Sequence, residues 1–116
     1  MSEPTERLIP QPRLAGDGPR LALDGARVIV RAVESDHLYR WLDGQLGRLL
    51  GPAYQQALAD SFRRLWWTER VDAPQAETGL WGARLADLLG THPELAGPLG
   101  ELFRETTARL EHPPVR

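Results

Sequence analysis

Cysteine, lysine and asparagine are absent from the 116 residues. Without cysteine there is neither a disulfide framework nor a thiolate zinc site. Without lysine, every one of the 14 basic side chains is arginine. With abundant Ala, Gly, Pro and Leu, this reads as the codon bias of a high-GC bacterial genome, which weakens arginine as evidence for phosphate binding. Long apolar runs are also missing, and none approaches the roughly 18 residues of a membrane span. The start, MSEPTERL, lacks the basic and apolar regions of a signal peptide, so the expected location is the cytoplasm. Charge of one sign is scarce: the net charge is −2, which exerts no general pull towards nucleic acid or anionic lipid.

What is present is ordinary for a globular chain, 41% hydrophobic and 26% charged. The length suits one domain with a modest core. Tryptophan is the exception, with four in so short a chain.

The central stretch is GPAYQQALADSFRRLWWTER, Gly51 to Arg70. Pro52 suits the first helical position, where no N–H is needed. At 100° per residue Tyr54, Leu58, Phe62, Leu65 and Trp66 share a sector, which predicts an amphipathic helix buried along that stripe. Gln56, Asp60, Arg63 and Trp67 lie opposite. Either neighbouring segments cover Trp67, or it anchors a partner, with Arg63, Arg64 and Arg70 nearby.

Met1 to Arg20 carries Pro4, Pro10, Pro12 and Pro19 with Gly16 and Gly18. It reads as a flexible N-terminal arm without helix, residues 1–20. From Ala26 to Leu50 the apolar residues change sides: Ala26, Ile29, Val30 and Val33 cluster opposite Leu38, Leu42, Leu46 and Leu49. One straight helix cannot bury both faces in one core, which predicts a break near Ser35-Asp36, with Ser35 as N-cap. Before the break, Asp24 caps a short helix from Gly25 to Glu34. The alternative is a hairpin at about 20–33, built on Val28-Ile29-Val30.

Asp72, Pro74 and Gln75 signal another helix start. That helix is expected to reach about Leu89, with Trp81, Leu85, Leu88 and Leu89 inside and Gly90 as its stop. Gly79 and Gly82 are expected to let another helix approach closely. Thr91-His92-Pro93-Glu94 reads as a capping box. The last stripe runs through Leu95, Leu99, Leu102, Phe103, Thr106 and Leu110, with a kink at Gly97-Pro98 and a main helix from about Pro98 to Leu110. The fold class is therefore all-α: four or five short helices in a single domain over 21–112, with a tail at 113–116. The hairpin alternative would make it α+β.

Catalytic patterns are missing. His37, His92 and His112 stand at no metal-ligand spacing. Ser2, Ser35 and Ser61 lack the G-x-S-x-G elbow, and there is no P-loop or dinucleotide fingerprint. The two helices of Leu85–Leu110 could form a DNA-binding pair, but Glu94 and Glu101 lie where phosphates would be. Amphipathic helices with mixed charge do not suit a membrane surface. No cofactor, metal, nucleic acid or membrane is expected.

The arginine-only, leucine-rich texture of LADLLGTHPELAGPLGELF, within the C-terminal third, resembles short helical proteins common in actinobacterial genomes. Some of these accompany larger effector or signalling proteins; no family is claimed. The expectation is a small non-catalytic protein–protein interaction module, an accessory subunit or adaptor of a larger bacterial protein such as a signalling or conflict-system effector, binding another protein or itself. Its candidate surface is Trp67, Trp41, Arg63, Arg64 and Arg70. A helical small-molecule-binding or enzymatic bundle, with a pocket of Trp41, Trp81 and the histidines, is the first alternative. A DNA-binding regulator is the second.

Overall fold

The computed structural model describes residues 10–67 and 71–112, with side chains from Gly18 onward. Five α-helices follow one another: α1 (Pro10–Val33), α2 (Asp36–Leu49), α3 (Pro52–Trp67), α4 (Ala73–Thr91) and α5 (Ala96–Glu111), with a short 3-10 turn at Pro93–Leu95 before α5. No strand occurs among the described residues, so the fold is an all-α bundle and the hairpin at 20–33 is not formed.

The hub is α1, which touches each of the other four helices. Its Ala22, Ala26, Ile29, Val30, Ala32 and Val33 are buried. The chain then reverses at Glu34-Ser35, and Leu38, Leu42 and Leu46 of α2 turn into the same core. The change of apolar side in the sequence is thus resolved by a turn. Ser35 is extended (φ −112°, ψ 118°), and its side chain accepts a hydrogen bond from the Leu38 N–H at 3.4 Å. Asp36 begins the helix and pairs with Arg40 at 2.8 Å.

At the next turn Gly51 has φ +101°, a left-handed conformation that favours glycine. Its N–H donates to the Leu46 and Gly47 carbonyls, and Pro52 opens α3 as the sequence predicts.

Several expected boundaries are corrected. Helix α1 begins at Pro10, so residues 10–20 are helical; residues 1–9 and 113–116 lie outside the described residues. Pro10 and Pro12 occupy the first turn, where a missing N–H costs nothing. Only Pro19 stands in the helix interior. Asp24 caps nothing; it lies mid-helix, 3.8 Å from Arg27. Helix α4 runs through Gly90 to Thr91, whose hydroxyl donates to the Asp87 carbonyl at 3.1 Å, so Thr91 closes α4 and opens no capping box. Gly97-Pro98 falls in the first turn of α5 and interrupts nothing.

Gly25 admits close packing between helices. A Cβ on Gly25 would lie 2.2 Å from Cε2 of Phe103, so only glycine lets the α5 ring seat against α1. The close approach expected at Gly79 and Gly82 is not found: a Cβ on Gly82 would meet the Ala26 Cβ of α1 only at an ordinary 3.9 Å, and Gly79 faces open space. Helices α1 and α4 run antiparallel: Glu34 lies beside Pro74, Ala26 beside Gly82, and Leu21 beside Leu89.

Candidate functional site

Helix α3 buries the expected stripe only in part: Leu58 is in the core and Tyr54, Phe62 and Leu65 pack against it, but Trp66 does not. Ala57, Leu58 and Ser61 are buried, whereas Tyr54, Phe62 and Leu65 are only half-buried. The helix is rotated towards Ala57 and Ser61, where the fully buried Trp81 of α4 donates its indole N–H to the Ser61 hydroxyl at 2.8 Å and sets its ring 6.4 Å from that of Tyr54. That rotation turns Trp66 outward, to 55% exposure, and leaves Trp67 at 81%. Val71, just beyond, is exposed as well.

Trp66 is still tied in on one side. Its indole N–H donates to the Val33 carbonyl at 3.4 Å, satisfying an orphan acceptor at the end of α1, and its ring lies 5.6 Å from that of Phe62. Phe62 in turn stacks on Tyr39 of α2 at 4.4 Å. Beside Trp66, a groove of about 350 Å³ is lined by Glu34, Leu65, Val71, Ala73 and Pro74. Through Glu34 and Pro74 it meets a second groove leading along α1 and α4 to Leu23, itself 45% exposed. Trp66 stands at the head of this partly apolar furrow, with Trp67 next to it in the chain.

The other expected surface residues are dispersed. Trp41 is half-buried, under the Arg109 guanidinium of α5, 4.2 Å from its ring centroid. Arg109 is itself held by Glu105 at 2.9 Å, the pairing legible in the sequence. Trp41 thus faces α5 and shares no patch with Trp67. Arg63 pairs with Asp60 on its own helix. Arg64 turns towards α4 and binds Glu77 through both Nε and Nη2, the latter at 3.0 Å. Arg70 lies outside the described residues.

The Glu77 arrangement was not anticipated from sequence. The residue is only 3% exposed. Its Oε1 accepts from the Ser61 hydroxyl at 2.7 Å, and Ser61 accepts from the Trp81 indole N–H at 2.8 Å. Burial pushes the Glu77 carboxyl up, but hydrogen bonds from Arg64 and Ser61, with the charges of Arg64 and Arg84, outweigh it and hold the group below its ordinary value. Arg84 lies over the Trp81 ring, 5.1 Å from its centroid. With Ser61 fully buried and no histidine in contact, the cluster joins α3 to α4 and offers no accessible nucleophile. A signal did exist: Glu77 stands four residues before Trp81 and eight before Leu85, on the buried face of α4.

His37, His92 and His112 are all exposed, and Trp81 has no open surface, so they do not converge with Trp41 on a common pocket. Among the described residues no three potential ligands are grouped to hold a metal, and no helix is long and apolar enough to cross a membrane. Comparison with protein-family models, curated proteins and solved structures gives no match.

Proposed function

We propose that this protein is a small non-catalytic interaction module, an accessory subunit or adaptor, whose binding surface is the end of α3 centred on Trp67. The observation that carries this reading is the pair Trp66 and Trp67, 55% and 81% exposed at one helix end, with exposed Val71 beside them. Large aromatics left in water are unusual for a monomer and are favoured as anchors at interfaces. Arg63 lies on the same helix within one turn of Trp67, its charge balanced by Asp60. Arg64, engaged by Glu77, holds the helix in place, and Trp41 supports the fold on the α5 side. The proposed partner is another protein, or a second copy of this chain.

Trp67→Ala is expected to leave helicity and the melting temperature unchanged, because the side chain has little packing to lose. It is expected to weaken partner binding by more than about 1 kcal/mol. Co-purification from the native host beside the wild type, with the oligomeric state followed by sedimentation, separates hetero- from self-association. Unaltered recovery and an unaltered oligomeric state in the mutant, or its unfolding, would remove the basis of the proposal.

A further inference from the structure

A groove of about 860 Å³ lies at the opposite end of the α1–α4 pair from Trp67, in the corner where α4 passes into α5. The groove is open to solvent, and its volume is large enough to seat one small molecule. Its floor is apolar: Leu21 from α1, Ala86 and Leu89 from α4, Pro93 from the 3-10 turn and Ala96 from α5. Glycines line much of it. A Cβ at Gly18, Gly90 or Gly97 would meet nothing within 4 Å. A Cβ at Gly100 would lie 3.7 Å from Nη1 of Arg104 and 4.0 Å from Cδ1 of Leu21, so the Arg104 guanidinium lies back along its own helix towards the apolar floor.

Charge at the rim completes the description. Arg20 and Arg104 line the groove from α1 and α5, and neither makes an ion pair within the described chain. Asp24 also lines it, but its charge is shared with Arg27 at 3.8 Å. Two unpaired guanidiniums against one partly compensated carboxylate favour a single negative charge; the floor favours hydrocarbon. We propose that this groove binds an amphipathic monocarboxylate, with an unbranched apolar body along Leu21, Leu89 and Ala96 and its carboxylate between Arg20 and Arg104. The site is separate from Trp67 and does not depend on that surface binding a protein.

The test is calorimetric titration of the full chain with hexanoate, octanoate and decanoate below their micellar concentrations, with decanol as the uncharged control. Saturable one-to-one binding is expected, tightening about fourfold for each methylene added. Decanol is expected to bind at least tenfold more weakly than decanoate. Arg20→Gln and Arg104→Gln, both exposed and without an ion pair among the described residues, are each expected to weaken decanoate binding by about tenfold without changing the circular dichroism spectrum. Gly90→Leu, a helix position with room for the side chain, is expected to fill the groove and abolish binding. No saturable binding of decanoate would overturn the proposal. So would equal affinity for decanol, or undiminished binding by the two arginine variants. If Gly90→Leu fails to fold, the alcohol control and the arginine variants still decide.

Discussion

Glu77 sits almost without solvent contact, hydrogen-bonded to Ser61 and Arg64, and the two members of the Arg64–Glu77 pair differ in what they leave behind when removed. Arg64→Ala strands a buried carboxylate, and a cost of about 3 kcal/mol is expected. Glu77→Gln keeps a hydrogen-bonding group at the site and frees Arg64, which is half-exposed, to reach water; about 1 kcal/mol is expected. Denaturant melts of the two variants check this order, and an equal or reversed order would show that the pair is not controlled by burial of the acid. The same residue sets an acid limb. Its folded value lies below the ordinary 4.5, so the stability it contributes is fully present above that value. It is lost as pH falls through the folded value. Wild type should therefore lose stability below about pH 4.5 more steeply than Glu77→Gln, as melting temperatures measured down the acid range would report. Glu77 was readable in principle, since it shares a face with Trp81 and Leu85. Its partners were not, because Ser61 and Arg64 lie 16 and 13 residues away on another helix.

Helix boundaries were legible wherever a local chemical device makes them. Ser35 caps α2, and Gly51-Pro52 ends one helix and begins the next, because a side-chain acceptor, a left-handed glycine and a ring without N–H act within a few residues. The N-terminal half of α1 was not legible. The density of proline argues against helix, yet two of those prolines occupy the first helical turn. Position within the helix outweighs count. Glycine behaves in the same way. Gly79, with open space where a Cβ would lie, weakens α4 without a packing return, so Gly79→Ala should raise stability by up to about 1 kcal/mol in a denaturant melt. No gain would mean that the exposed face of α4 is packed against something in solution.

At the scale of the whole molecule, helix α1 organises the bundle, and the contact that seats α5 on it runs through Gly25. Gly25→Ala places a methyl group inside the Phe103 ring and is expected to cost about 2–3 kcal/mol from overpacking, despite alanine's better helix propensity. A melt showing Gly25→Ala as stable as wild type would require α5 to sit elsewhere. The contrast with Gly79 is the test of the packing: the same substitution in two helices is predicted to have opposite signs.

The sequence alone determined that this is a helical chain, where it turns at Ser35 and Gly51, and which leucines face inward in α2 and α5, because these follow from 3.6-residue periodicity and local caps. It also marked Trp67 as lying off the apolar stripe of its helix. Only the tertiary structure decided the rotation of α3 that exposes Trp66 along with it. The same structure parted Trp41 from Trp67, turned Arg64 inward and left a groove between Arg20 and Arg104. Each of these depends on which helix lies across the interface and how closely glycine, alanine and serine let it approach. Such distances between remote parts of the chain are not encoded in the spacing of residues along one helix.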